Sequence, residues 1–318
     1  MTQYYVAWWN VENLFDIETA PRSDKLKRTL AKELKGWNVT ILNKKLSQLS
    51  KIITRMNNST GPDILGVCEI ENKTVLEKLV ATISLPRNYK IAHEDANDGR
   101  GIDVAFIYDS NLFELEKKFS HFIVKRSATR DIFQANLKVK GTSNLLILIG
   151  NHWPSRMGGE YDSEPYRIMA EENLSYFHQR IVEENDSDVA VIAMGDFNDE
   201  PFNRSITNYA LSTNDATQLK RAKNPKFYNL MWPILGKGIG THYYGSEHSV
   251  LDQIMVSKGF LFGNSKFSVK PDSIKVEKIP DMTSRGKPKR FGRPSSKKTY
   301  DNDGFSDHFP VSVVIERK

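Results

Sequence analysis

Cysteine is almost absent: Cys68 is the only one in 318 residues. That excludes an internal disulfide framework and a zinc site built on thiolates. Long apolar runs are missing too, and none approaches the roughly 18 residues that a membrane-spanning helix needs. The first residues show no basic region followed by an apolar segment, so no leader or membrane anchor is visible. The expectation is a cytoplasmic protein, although a mature secreted chain would look the same. There is no internal repeat and no clear linker. The length admits two domains or one large α/β domain, and the reading taken here is one domain over residues 1 to 318, expected as a monomer. Neither sign of charge dominates: 45 Lys and Arg face 39 Asp and Glu, for a net +6 and a pI near 9.1. Such a bias is compatible with a polyanionic partner and does not identify one. What the chain does have is core material, with 39% hydrophobic residues, sixteen Phe and twelve Tyr.

The most informative stretch is Met194-Gly195-Asp196-Phe197-Asn198-Asp199-Glu200-Pro201. A β-branched apolar run at residues 189 to 192 precedes it, which reads as a buried strand entering a Gly-Asp turn. Asp196 and Asn198 stand two apart, so alternation aims both to one side of the strand's carboxyl end. An acid beside an amide suits a water molecule, a phosphoryl oxygen or a metal ion; a solvated Asx turn is the plain alternative.

Similar polar exits recur along the chain. Residues 4 to 9 form an aromatic, β-branched strand ending in Asn10-Val11-Glu12, whose polar pair is expected to share a face. A second strand, residues 63 to 68, ends in Glu69-Ile70-Glu71-Asn72. Helical spacing of Ile41, Leu42, Leu46, Leu49, Ile52, Ile53 and Met56 precedes it, with Lys44, Lys45 and Lys51 expected on the solvated side. Val75, Leu76, Leu79, Val80 and Ile83 mark a helix after it. Strand, acidic end, then helix is the βα unit of an open sheet, where ligands gather at strand carboxyl ends. Asp103 begins another strand, as an edge residue or as a buried partner for a histidine.

Two adjacent strands at residues 132 to 139 and 145 to 149 lead to Gly150-Asn151-His152-Trp153-Pro154-Ser155-Arg156. A long helix over residues 164 to 184 follows, with Ile168, Leu174, Phe177 and Ile181 on one face, and a shorter helix is expected near residues 203 to 211. Asp252 sits in a strand over residues 250 to 256. Residues 270 to 300 are basic and poor in apolar groups, either a solvated loop insertion or a contact for a phosphate backbone. The chain closes on Ser306-Asp307-His308-Phe309-Pro310 and a final strand.

Strand ends thus supply Asn10, Glu12, Glu69, Asn151, His152, Asp196, Asn198, Asp252, Asp307 and His308. An oxygen-rich set with few nitrogens suits a hard cation, Mg²⁺ or Mn²⁺, rather than zinc. Two histidines beside it suit acid–base chemistry. The order and spacing of these elements, from NVENLFD through EIEN and GDFN to SDHFPV, resembles the endonuclease/exonuclease/phosphatase family, which includes pancreatic-type deoxyribonucleases, AP endonucleases, sphingomyelinases and inositol polyphosphate 5-phosphatases. The resemblance covers nearly the whole chain.

It implies a four-layer α/β/β/α sandwich, two packed and mostly antiparallel sheets flanked by helices, with a metal-dependent phosphoesterase site at one end. By the same resemblance Glu69 is the principal metal ligand, helped by Asn10, Glu12 and Asp307. Asp196 and Asn198 orient the attacking water and the phosphate oxygens. His308, steadied by Asp252, is the base or phosphate-binding imidazole, and His152 protonates the leaving oxygen or stabilises the phosphorane. Arg100, Asn151 and Arg156 are candidate substrate contacts, and Asp103 a candidate to orient His152. The chain departs from the AP-endonuclease pattern at Asn151-His152 and at Gly99-Arg100-Gly101-Ile102-Asp103, which argues against an abasic-site specialist. The HWPSR element and the SDHFP ending look closest to bacterial nuclease-like members. The functional expectation is therefore a nuclease acting on DNA or RNA, with a small phosphoester (phosphoinositide, sphingolipid headgroup or nucleotide) as the alternative substrate.

Overall fold

The computed structural model describes residues 1–95, 101–123, 131–156, 158–262, 265–292 and 300–318. Two mixed seven-stranded sheets form its centre. The first contains β1 (Thr2–Leu14), β2 (Ile64–Ile70), β3 (Tyr89–His93), β4 (Asp103–Asp109), β14 (Phe267–Val269), β15 (Lys275–Val276) and β18 (Val311–Arg317). The second contains β5 (Phe113–His121), β6 (Ile132–Val139), β7 (Leu145–His152), β8 (Ala190–Asp196), β9 (Ser212–Thr213), β10 (Phe227–Asn229) and β13 (Asp252–Ser257). Most neighbours are antiparallel; β1 with β2, β7 with β8 and β9 with β10 are parallel. Two small hairpins, β11 (His242–Tyr244) with β12 (Glu247–Ser249) and β16 (Thr283–Ser284) with β17 (Lys287–Pro288), lie outside the large sheets.

Alternation along β1 explains the layering. Tyr4, Val6 and Trp8 enter the core between the sheets, with Leu146, Leu148, Ile192 and Ile254 from the second sheet. Tyr5, Ala7 and Trp9 face the other way, onto Leu42, Leu46, Leu49, Ile52 and Ile53 of α2 (Val39–Ser59) and Leu76 and Leu79 of α3 (Lys73–Thr82). Each such Leu or Ile, buried completely, contributes about 2 kcal/mol. Both helices are N-capped by an asparagine, Asn38 and Asn72, whose side-chain Oδ1 atoms accept from Ile41 N and Val75 N. On the far side, α4 (Glu160–Glu184) covers the second sheet through Ala170, Leu174 and Ile181. The order of layers is helix, sheet, sheet, helix, as the resemblance implies.

Several local expectations differ. Lys45 is fully buried rather than solvated, whereas Lys44 and Lys51 do lie at the surface in ion pairs with Asp303 and Asp281. The inward face of α4 carries Arg167, Glu171 and His178 beside its apolar residues, with Ile168 and Phe177 only partly buried. The segment expected as a helix near residues 203 to 211 forms only a single wide turn, Ser205–Tyr209. Strands β3 and β5 have no counterpart in the sequence reading.

Candidate active site

Strand register builds the site before any side chain is considered. In the second sheet His152 pairs with Asp196, and Asp196 pairs with Asp252. Three neighbouring strands therefore place their chemistry in one row, on the face that Met194 and Ile254 turn towards the inter-sheet core. Gly195 is required by close approach rather than by a turn: a Cβ there would lie 2.5 Å from the Asn151 carbonyl oxygen. Across the gap, the first sheet contributes Asn10 from β1 and Glu69 from β2.

Glu69 reaches the gap because the backbone departs from alternation. Leu65 and Val67 face the helices, so a regular strand would send Glu69 after them. Instead the pairing of β2 with β4 shifts between Cys68 and Ile70, and Glu69 takes φ 65°. Glu12 and Asn198 also have positive φ, 54° and 50°. Left-handed backbone in non-glycine residues costs energy and persists where surrounding contacts enforce it, commonly at functional sites.

The central contacts follow. Asn10 Nδ2 donates to Asp196 Oδ2 at 3.0 Å and to Glu69 Oε1 at 3.3 Å, and Asn13 N donates to Glu69 Oε2 at 2.8 Å. His152 Nε2 lies 3.7 Å from Glu69 Oε1 and 3.8 Å from Asp196 Oδ2. On the opposite side, His308 Nε2 lies 3.9 Å from the same Asp196 oxygen. Its Nδ1 is 2.6 Å from Asp252 Oδ2, and Asp252 Oδ1 accepts from Trp8 Nε1 at 3.1 Å. The backbone of the SDH segment is held as well: Trp9 Nε1 donates to the His308 carbonyl, and Ser306 Oγ donates to the Asn10 carbonyl.

Burial and neighbouring charge set the protonation states. Burial, with Asp252 adding to it, pushes the Asp196 carboxyl up to about 6, against the opposing pull of His308. Burial alone would lower the His308 imidazolium, but Asp252 and Asp196 outweigh it and hold the ring well above the usual histidine range. His242 packs at a tilt against His308 with ring centroids 4.7 Å apart; burial, then His308, lowers it to about 4.

The remaining sequence candidates are placed differently. Glu12 does not share a face with Asn10. Its carboxylate turns to the basic segment and accepts from Arg290 Nε at 2.6 Å, Phe291 N at 2.9 Å and Gly292 N at 3.1 Å. Arg290 Nη2 also lies 3.2 Å from Asp307 Oδ2. Glu71 turns away to Arg22. Asn198 donates Nδ2 to the Trp153 carbonyl at 3.0 Å, and its own N–H caps Asp196 Oδ1 at 3.0 Å. Asn151, on the opposite face of β7 from His152, donates to the Ile149 and Met194 carbonyls. Arg156 is committed to the loop after β8, bonding the Asn198 carbonyl, Asp199 and Asn203. Asp103 is a buried partner for a histidine, His93, at 3.0 Å. Arg100 lies outside the described residues.

Sequence reasoning missed Arg290, Lys45 and His242. Burial lowers the Lys45 ammonium to about 8, opposed by Glu12, Asp307 and Glu69, and its Nζ donates to the Phe305 carbonyl at 2.7 Å. Nothing in its helical spacing separated it from its exposed neighbours. Arg290 was one of many cations in a basic run.

The donor chemistry suits a hard divalent cation at Glu69, which has no lysine or arginine in ion-pair range among the described residues and faces Asn10, the Asn13 N–H and His152. Asp196, Asp252 and His308 also bring one ligand atom each within 4.8 Å of one another, as do His93, Asp95 and Asp103. In the first group, however, the Asp252 and His308 atoms already face each other.

Over residues 5–317 the chain matches the profile of the Endonuclease/Exonuclease/phosphatase family. No curated protein sequence matches it. Among solved structures, a protein of this family from Bacteroides thetaiotaomicron is 16% identical with a TM-score of 0.59, covering 99% of this chain and 98% of the other. A mannosyl-6-phosphatase from the same organism is 16% identical at TM-score 0.58, covering 98% and 99%. Truncated Caenorhabditis elegans TDP2 is 15% identical at 0.57, covering 98% and 97%. The profile spans both halves of the site, from Asn10 on β1 to His308 beside β18, and the chain belongs to the endonuclease/exonuclease/phosphatase family.

Proposed function

We propose that this member of a family of phosphoric ester hydrolases is a metal-dependent phosphodiesterase, a nuclease that cuts DNA or RNA by activated-water attack. One observation carries the reading: two imidazoles flank a single buried carboxylate, His152 Nε2 at 3.8 Å and His308 Nε2 at 3.9 Å from Asp196 Oδ2. Hydrolysis of a phosphodiester needs a proton acceptor and a proton donor on opposite sides of phosphorus, with positive charge near the phosphoryl oxygens. Glu69, with Asn10 beside it, would hold Mg²⁺ or Mn²⁺, which when bound supplies Lewis-acid polarisation of a phosphoryl oxygen. Asp196 and the side-chain oxygen of Asn198 would orient the water. His308 presents Nε2 to the phosphoryl group, as a charged donor in the imidazolium form and as a base once neutral. Its Nδ1 partner Asp252 sets that orientation. His152 delivers a proton to the leaving oxygen.

The net charge of +6 supports a polynucleotide. A small phosphoester is the second reading, and it too has an observation in its favour. Among the described residues, several cations of the basic segment are engaged internally: Lys275 pairs with Glu277, Lys289 with Asp301, and Lys287 donates to the Gly245 carbonyl. Such cations offer less to a phosphate backbone. The deciding experiment is cleavage of supercoiled plasmid, single-stranded RNA and bis-p-nitrophenyl phosphate, each with Mg²⁺, Mn²⁺ or EDTA, beside Glu69→Gln. Polynucleotide cleavage that needs both metal and Glu69 supports the nuclease. Aryl phosphate release without polynucleotide cleavage selects the small substrate, and no metal-dependent hydrolysis by the wild-type protein refutes both.

A further inference from the structure

The basic segment inserts one side chain into the site itself. Arg290 meets the Glu12 carboxylate with Nε and Nη2, both at 2.6 Å, and reaches Asp307 with Nη2 at 3.2 Å. Glu12 is 1% exposed and is completed by the backbone N–H groups of Phe291 and Gly292. Behind it, Lys45 lies fully buried with its ammonium 4.9 Å over the Phe291 ring. This arrangement differs from an adaptable surface salt bridge, because a buried carboxylate left without its cation is costly. The guanidinium is therefore fixed. Its side chain is nevertheless 52% exposed, and its Nη1 has no partner among the described residues.

We propose that Arg290 is the resident cation of the Glu12–Asp307 position and that its outward edge binds a non-bridging oxygen of the substrate phosphoryl group. The proposal rests on the phosphoesterase reading. Two features of the geometry support it. Arginine presents its N–H donors in a planar fork, so one edge can hold carboxylates while the other meets a phosphate. The same guanidinium also lies within ion-pair distance of both carboxylates, 2.6 Å from Glu12 and 3.2 Å from Asp307. With Arg290 in place, Glu12 and Asp307 share a cation supplied by the chain itself, and the requirement for a metal narrows to Glu69. The insertion thereby supplies a substrate contact that the sandwich strands do not.

Two measurements on the full-length protein test this: Mn²⁺ stoichiometry by electron paramagnetic resonance, and inorganic phosphate affinity of the Mn²⁺-loaded protein by calorimetry. The wild type should bind one Mn²⁺ and Glu69→Gln none. Arg290→Ala should expose the Glu12–Asp307 pair and bind a second Mn²⁺, with phosphate affinity and 1/KM reduced about ten- to a hundredfold. Arg290→Lys keeps the charge and the fold, should stay at one Mn²⁺, and should lose several-fold in phosphate affinity because the fork is gone. Two Mn²⁺ in the wild type, or unchanged phosphate affinity in both Arg290 variants, overturns the proposal while leaving metal-dependent hydrolysis intact. A wild type that neither binds phosphate nor hydrolyses a phosphoester instead overturns the reading beneath it.

Discussion

Replacing Asp252 by asparagine isolates what the buried carboxylate does for His308. The side chain is fully buried, with one oxygen on Trp8 Nε1 at 3.1 Å and the other on His308 Nδ1 at 2.6 Å. An indole N–H only donates, so the asparagine oxygen has to remain on Trp8. The amide NH₂ then faces His308, and Nδ1 must become the bare acceptor. A neutral ring in that state carries its proton on Nε2, the edge turned towards Asp196, and cannot accept another there. The variant also removes the main charge holding the imidazolium well above the usual range, so the ring's hold on its second proton weakens and it becomes a poorer charged donor. Both roles are impaired with hardly any change of shape. A histidine deprived of its orienting carboxylate in this way loses about 10³–10⁴ in kcat, roughly 4–5.5 kcal/mol of transition-state stabilisation. The assay is kcat for bis-p-nitrophenyl phosphate from pH 5 to 9 for both proteins, with ¹⁵N spectra of the His308 ring. A kcat within tenfold of wild type, or a neutral variant ring protonated on Nδ1, would refute the reasoning.

Other outcomes can be checked in parallel. His152→Ala should lower kcat by about 10²–10⁴ on substrates with alkoxide leaving groups and by much less on an activated aryl phosphodiester; equal losses on both would count against its role as the acid. His178 gives a test of stability rather than chemistry. It is buried on Phe227, with ring centroids 3.9 Å apart, and burial pushes it down to about 3. The unfolded chain, near 6.5, therefore binds a proton that the folded chain refuses, so stability is complete above about pH 6.5 and falls as pH drops towards 3. By pH 5 the loss is about 2 kcal/mol. Urea unfolding at pH 7 and pH 5 should show His178→Phe escaping that loss, and an unchanged acid sensitivity in the variant would contradict it.

Much of the fold was legible because backbone periodicity is local. The alternation that puts Val6 and Trp8 on one face and Ala7 and Trp9 on the other is visible in the residues themselves, as is the helical spacing of Leu42, Leu46, Leu49 and Ile53. The polar strand ends, read one by one, each admitted a plain alternative. Their order matched a family, and the register of His152, Asp196 and Asp252 then brought three of them into one row. What failed was extrapolation of alternation through residues with positive φ. Asn10 was expected to share a face with Glu12, yet the backbone sends the two apart, and Glu69 and Glu71, also two residues apart, diverge in the same way.

The partners of charged groups were equally hidden. Lys45 looked like Lys44 and Lys51, and its burial depends on a carbonyl 260 residues away. Arg167, on the inner face of α4, is offset by Asp199 at 2.7 Å, a residue of the loop after β8. Arg156 looked available for substrate until that same loop closed on it. Sequence thus settled most of the strands and helices that carry the site and which residue types stand at their ends, because those depend on neighbours a few positions away. Which carboxylate is closed by a cation and which histidine receives Asp103 were decided only when distant segments packed, because desolvation and pairing of charge depend on what arrives from elsewhere in the chain.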